Sequence, residues 1–324
     1  MVSRPRISIL MPTHCRPDVV GLAVESVLNQ TFGDFELLVV GDGALPGTAQ
    51  AVQRFDDPRI RYFDLPKAPH FGYANRNVAL RQSRGELIGF AADDDLLFPD
   101  HFETLLRGLQ DGAAIAYSQA LWVSTDGIVA PFLTNLEFPD EFEAFRRGNT
   151  IAASCFLYRA DALPARDAWP EDVPSAADWR LWHRILDANP QSPIAYCRTP
   201  TVLHFSARRK ASRHSGMPQL AAFISIADSA AWWPKALRVP IAPDRTEQET
   251  FADLMRSTPG WCSHIRQASA DLAARLAWDE IQHNRAATAA KDARPAARPV
   301  KSPVQRIAAE IRRIPRNIGR ILKE

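Results

Sequence analysis

Three consecutive carboxylates, Asp93, Asp94 and Asp95, follow directly on the apolar run Leu87-Ile88-Gly89-Phe90-Ala91-Ala92. Like charges about 4 Å apart repel by roughly 1 kcal/mol in water and about 4 kcal/mol at the effective dielectric of a protein surface. Such a row calls for a compensating cation or for full solvation. Hard oxygen ligands select Mg²⁺ or Mn²⁺, ions that hold substrate phosphates through one or two carboxylates and keep several waters. Capping of the helix expected near Pro99 accounts for one acid, not three. The row is therefore read as a metal site.

Other residues carry chemistry with an ordinary structural alternative beside it. Asp42, between Gly41 and Gly43, can accept a hydrogen bond from the ring N–H of uracil or guanine, or can stabilise its own turn. Arg76, flanked by Asn75 and Asn77 near the start of a predicted helix, can meet a nucleotide or pyrophosphate together with free backbone N–H groups, or lie in solvent. Asp178 opens a helix whose Trp179, Leu181, Trp182 and Ile185 form an apolar face, and N-capping is its alternative role. His204 leads into a basic loop with Arg208, Arg209, Lys210, Arg213 and His214. That loop can close over a diphosphate, with His204 as metal ligand or phosphate donor, or can be a solvated loop with a packed histidine.

The elements that must position these groups follow from periodicity. Ile7 to Met11 and Phe35 to Val40 are short apolar runs stopped by Pro12 and Gly41, which reads as two buried strands. Helical spacing from Val19 to Leu28 lies between them; Ala49 to Phe55 gives a second helix and Arg59 to Phe63 a third strand. Asn75 to Arg84 reads as a helix closed by Gly85, ahead of the strand that ends in the aspartates. Such alternation predicts an α/β fold with a mostly parallel sheet, helices on both faces, and ligands beyond the carboxyl ends of the strands. Further strands are expected at 113–117, 121–124, 151–158 and 201–203, and helices at 178–188, 218–233, 248–255 and 264–284. Trp232 and Trp233 are read as core before sugar-stacking residues.

With 324 residues, 46% hydrophobic and 23% charged, the composition is that of a soluble globular protein. No apolar run reaches the roughly 18 residues of a membrane span, and the first residues lead straight into a strand, so a cytoplasmic location is expected. Cys15, Cys155, Cys197 and Cys262 lack zinc-ligand spacing and give no disulfide framework. The net charge of +2 hides a basic end: from Arg285 to Glu324 there are 11 Lys/Arg against 3 Asp/Glu. Within it Ile307, Ile311, Ile314, Ile318 and Ile321 recur at helical spacing among arginines. That pattern describes a basic amphipathic helix, shortened or kinked by Pro315 and Gly319. It suits an anionic membrane surface or docking on the protein body or a partner equally well. Without aromatic residues the tail is a poor nucleic-acid binder.

The ordered set Met11-Pro12-Thr13, Ser26 to Thr31, Val39 to Gly43, Ala74 to Asn77, Gly85 to Ile88, Asp93 to Asp95 with Pro99, and Asp178 to Trp182 resembles family 2 glycosyltransferases of the GT-A fold over about residues 6–205. The resemblance implies that Pro12, Thr13 and Asp42 hold base and ribose, and that Arg76, Asp93 and Asp94 help bind the nucleotide. It places a Mn²⁺ or Mg²⁺ ion on Asp95 and Asp93, to which His204, from its place in the basic loop, is added as a candidate further ligand. It makes Asp178 the general base of an inverting transfer. The chain departs from the family at Gly41, Ala92 and Ala177, where relatives often carry an acid.

The resulting expectation is a GT-A domain over 1–215, a helical extension over 216–285, an Ala/Pro/Arg-rich linker over 286–303 and the basic tail over 304–324. The expected activity is metal-dependent inverting transfer of a sugar from a nucleotide diphosphate donor, preferably UDP-linked, to a saccharide or lipid-linked acceptor hydroxyl, as in envelope polysaccharide or glycolipid synthesis. The tail would give peripheral contact with the inner face of the membrane. A catalytically inactive GT-A module is the first rival. A sugar nucleotidyltransferase is the second, and it is disfavoured because Pro12-Thr13-His14-Cys15 supplies no glycine-rich loop.

Overall fold

A computed structural model describes residues 4–109, 112–165, 167–205 and 218–292. The first four strands, β1 (Ile7–Thr13), β2 (Phe35–Asp42), β3 (Ile60–Leu65) and β4 (Leu87–Phe90), are parallel in the order β3-β2-β1-β4. β1, β2 and β4 are almost wholly buried, which is why they read as continuous apolar runs and not as alternating ones.

The chain builds outward through α1 (Val20–Leu28) and α2 (Thr48–Gln53), then crosses back through α3 (Tyr73–Arg81) to place β4 on the other side of β1. Right-handed crossovers put α1 and α2 on one face and α3 on the other. In keeping with this, α1 packs on α2 while α3 packs on β1 and β2. The order reverses between β1 and β4.

The sheet continues with β5 (Leu96–Leu97), β6 (Ile115–Val123), β7 (Val129–Phe132), β8 (Phe156–Arg159) and β9 (Ile194–Phe205), in the path β4-β8-β6-β9-β5, with β7 on β6. β8 joins β4 and β6 antiparallel, and β9 runs parallel to β6. Among the described residues the helices are completed by α4 (His101–Gly108), α5 (Pro139–Arg147), α6 (Ala177–Ala188), α7 (Pro218–Ser229), α8 (Glu247–Ser257) and α9 (Trp261–Asp292). α8 opens with a reciprocal capping box between Thr246 and Glu249.

Several expectations need correction. The strands expected at 113–117 and 121–124 are one strand, because the polar Ser118 between them is satisfied across the sheet by Thr201 Oγ1 at 2.6 Å. The strand expected over 151–158 begins only at Phe156, after a 3-10 turn at Ala153–Cys155. The strand expected over 201–203 extends back to Ile194. α7 stops at Ser229, short of Trp233, which is buried beyond it with its indole N–H directed to Leu237 O at 3.4 Å. α9 runs through Asp292 and so occupies the start of the stretch read as a linker. The remainder of that stretch, the tail at 304–324 and the basic loop after Phe205 lie outside the described residues. Compact packing forms one unit through Ala273; Ala274 begins a second, whose described part is the rest of α9.

Candidate functional site

A cavity of about 660 Å³ opens beyond the carboxyl ends of β1, β2 and β4, at the reversal of strand order. Pro12, Thr13 and the following His14, Cys15 and Arg16 form one wall. Asp42 closes β2, Lys67, His70 and Phe71 come from the loop after β3, and Tyr73 and Arg76 from α3. Phe90, Ala92 and Asp93 follow β4, and Ser175, Ala176 and Asp178 stand at the mouth of α6. Of the residues expected from sequence, Pro12, Thr13, Asp42, Arg76, Asp93 and Asp178 thus share one cavity. Asp94, Asp95 and His204 do not line it.

Thr13 is buried, and its hydroxyl has no hydrogen-bond partner among the described residues. Such a group calls for a polar ligand atom. The buried Asp42 carboxylate accepts the Ala68 N–H at 2.8 Å, the Asn75 amide at 2.7 Å and the Lys67 ammonium. Lys67 Nζ also donates to Ala68 O at 2.8 Å and His70 O at 3.2 Å, so one cation folds the loop around the carboxylate. An ionised carboxylate has about four acceptor positions, so Asp42 keeps one for a base N–H. Gly72 sits at φ 72°, and a Cβ there would stand 2.4 Å from Asp42 Cγ; only glycine allows this approach.

Arg76 is held by aromatic rings. Its guanidinium carbon lies 4.7 Å from the ring centre of Trp169, 5.0 Å from Tyr73 and 5.7 Å from Phe90. Nη2 donates to Phe71 O at 3.3 Å, while the buried Nε has no hydrogen-bond partner among the described residues. Burial pulls the Arg76 pKa down, against the fields of Asp178, Tyr73, Asp93 and Asp42. Trp169 is fixed from α3: Asn77 Nδ2 donates to Trp169 O at 2.9 Å, and Asn77 Oδ1 accepts the Trp169 N–H at 3.0 Å.

The acidic row is divided. A single nitrogen of Arg16, Nη1, lies 2.6 Å from Asp93 Oδ1 and 2.8 Å from Asp94 Oδ2. Burial works against the Arg16 charge, but Asp94 and Asp93 more than offset it and hold its pKa above the ordinary value. Asp95 instead accepts Ser154 Oγ at 2.5 Å and pairs with His204 Nδ1 at 2.8 Å, the latter brought up by the β6–β9 register. Ser154 Oγ also receives the Ala92 N–H at 3.0 Å, which ties the row to the 3-10 turn.

Among the described residues no group of three or more His, Cys, Asp or Glu side chains converges as a ready ligand set. The donors nonetheless fit a small hard cation. Burial and the neighbouring Asp95 push the Asp94 carboxyl up to about 7 despite Arg16, so the row is short of positive charge. An ion of the Mg²⁺ type needs only one or two carboxylates when phosphate oxygens complete its shell.

Asp178 occupies the first turn of α6, reached through Ala176 in the left-handed region at φ 56°. The Ala177 backbone is hydrogen-bonded to the Tyr73 hydroxyl, locking α6 to α3. Asn149 Nδ2 approaches Asp178 Oδ2 at 3.3 Å. The N-cap position is Ala176, so Asp178 lies within the first turn and not at the cap, and it is partly exposed and lines the cavity.

Residues 8–164 match the family model described as glycosyl transferase family 2. Over that stretch, just under half of the chain, it is similar to glycosyl transferase family 2. It is 33% identical over 119 residues to a GalNAc(5)-diNAcBac-PP-undecaprenol beta-1,3-glucosyltransferase of Campylobacter jejuni, covering 36% of this chain and 38% of that protein. It is 29% identical over 128 residues to a UDP-Glc:alpha-D-GlcNAc-diphosphoundecaprenol beta-1,3-glucosyltransferase of Escherichia coli, covering 39% and 50%. The chain therefore aligns with half or less of the length of each. Its fold is that of S. aureus TarS 1-349, solved with UDP-GlcNAc: TM-score 0.50, 18% identity, 79% of this chain and 75% of that one. The GT-A architecture expected from sequence is thereby borne out.

Arg16, Lys67 and Tyr73 line this cavity and Trp169 packs on Arg76, and sequence reasoning missed all four. A basic residue just after β1 and an acidic row just after β4 end on the same rim, a signal that would have found Arg16. Nothing local marks Trp169, whose partner Asn77 is 92 residues away.

Proposed function

We propose that this chain transfers a sugar, with inversion, from a nucleotide diphosphate donor to an acceptor hydroxyl, and that the donor is UDP-linked. The observation that carries the reading is the convergence of Asp42, Arg76, Asp93 and Asp178 on one cavity at the sheet's switch point.

In this reading Asp42 accepts the base N–H, Thr13 Oγ1 meets a ribose hydroxyl, and Arg76, held flat by its rings, donates to the diphosphate. Asp178 takes the proton of the acceptor hydroxyl as that oxygen attacks the anomeric carbon from the side opposite the leaving diphosphate, which inverts the configuration. Mn²⁺ or Mg²⁺ bound through Asp93 and Asp95, with His204 as a further ligand, would neutralise charge on the departing diphosphate. Asp94 assists nucleotide binding through its shared arginine.

The acceptor is read as a polyprenyl-diphosphate-linked sugar, in line with the names of the two bacterial relatives. No helix of the described residues is long and apolar enough to cross a membrane. Contact with the cytoplasmic leaflet is assigned instead to the basic residues 304–324.

The test is calorimetric titration with UDP and GDP, with Mn²⁺ and with EDTA, beside donor hydrolysis, on wild type and Asp178→Asn. The expected result is metal-assisted UDP binding in both proteins and hydrolysis slowed by about 10²–10⁴-fold in the variant. Equal hydrolysis in the two proteins, or no nucleotide binding in either, overturns the reading.

A further inference from the structure

The bridging contact of Arg16 goes beyond that reading while resting on it. A single guanidinium nitrogen within 2.8 Å of both Asp93 and Asp94 ties up Asp93, the carboxylate through which the proposed cation is held together with Asp95. We infer that Arg16 is a tethered competitor for the cation site: in the free protein it satisfies Asp93 and Asp94, and cation binding requires it to leave.

Three observations support this. Asp95 pairs with Ser154 and His204, whereas among the described residues the direct ion-pair partner of both Asp93 and Asp94 is Arg16. Arg16 is anchored by a loop and not by a helix or strand, and its side chain keeps 32% of its surface exposed, which allows the guanidinium to swing. Arg16 and Asp93 both line the cavity, so a displaced guanidinium stays within it.

A planar guanidinium pairs with phosphate oxygens as well as with carboxylates. Donor binding therefore gives Arg16 a new partner at the moment the cation takes its old ones. Cation and nucleotide become mutually dependent: each favours the arrangement that the other needs, and the coupling is reciprocal. Without Arg16 the cation binds more tightly before the nucleotide arrives, and the nucleotide adds less than in the wild type.

The experiment is Mn²⁺ titration of the full chain, read by the EPR signal of free Mn²⁺, with and without UDP. It uses wild type, Arg16→Gln, and Arg16→Met, which keeps the aliphatic stem packed. The expected result is weak Mn²⁺ binding to wild type that UDP tightens about tenfold or more, and binding to both variants about tenfold tighter without UDP. The gain from UDP should be smaller in the variants than in wild type by about threefold or more. Mn²⁺ affinity in the variants equal to or below that of wild type, including no binding in any of the three, overturns the inference. UDP calorimetry on the same proteins keeps the outcomes apart. UDP binding with unchanged Mn²⁺ affinity removes only the role given to Arg16, whereas absence of UDP binding removes the donor site itself.

Discussion

Replacing Trp169 with leucine removes the nearest of the three rings around Arg76 while sparing the Asn77 clamp, which grips only the backbone of residue 169. A cation over an aromatic ring contributes about 0.5–1 kcal/mol when exposed and about 2 kcal/mol when desolvated. At 4.7 Å from a ring that is 1% exposed, Arg76 lies toward the upper end. Leucine restores apolar contact but no ring face, so Arg76 loses about 1–2 kcal/mol of orientation and UDP affinity should fall about 5–30-fold. Trp169 also packs on Tyr73, Phe90 and Trp182, so the same change should cost about 2–4 kcal/mol of stability. Calorimetric titration with UDP, well below the melting temperature, separates the two effects. Trp169→Phe supplies a ring again and should recover affinity to within about threefold while remaining less stable than wild type. Equal affinity in the leucine variant and wild type, or equal loss in the leucine and phenylalanine variants, would show that the cage does not organise Arg76.

Two further outcomes follow from other parts of the fold. Glu36, buried at the start of β2, accepts Ser8 Oγ at 2.6 Å, the Arg84 N–H at 2.7 Å and the guanidinium groups of Arg84 and Arg61. Burial alone would raise its pKa, but these donors together hold it below the ordinary carboxylate value of 4.5. A depressed folded-state pKa contributes stability above the unfolded value and loses it as pH falls through the folded one. Glu36→Gln should therefore lower stability by about 1.5–3 kcal/mol at pH 7 and flatten the acid limb of denaturant-unfolding curves below about pH 4.5. Parallel pH profiles for the two proteins would refute this. Gly72→Ala should cost at least about 1–2 kcal/mol in backbone strain and push Asp42 out of place, abolishing measurable UDP binding in calorimetry. Wild-type affinity in that variant would show that Asp42 does not read the base.

The first half of the sheet was legible because its strands are buried and parallel, so each reads as an apolar run closed by Pro12, Gly41 or the aspartates. The second half was not. β9 opens on the apolar Ile194-Ala195-Tyr196-Cys197, but the exposed Arg198 and Thr199 and then Pro200 in mid-strand cut that run off from the apolar residues at its end. β7 includes Pro131, and α5 buries one residue, Phe145, too little to show periodicity. At the site, Asp42, Arg76, Asp93 and Asp178 were legible because each sits where a strand ends or a helix begins. What sequence could not give was the sorting of the acids, two to Arg16 and one to His204. That sorting depends on a loop 77 residues upstream of Asp93 and a strand 109 residues downstream of Asp95.

These separations also bear on how the protein comes to exist. A ribosome adds about 5–20 residues per second, so Asp95 waits roughly 5–20 seconds for the strand that carries His204. Arg76 is likewise made well before Trp169. During that interval the parallel half of the sheet can be complete while the acidic row lacks one of its partners and β5 has no neighbour in β9. Non-local pairings of this kind form slowly, because loop closure precedes the contacts that reward it. The cavity can therefore close only after the start of α6 has been made, and a nascent chain that stalls before residue 169 has the parallel half of the sheet without Trp169 and Asp178.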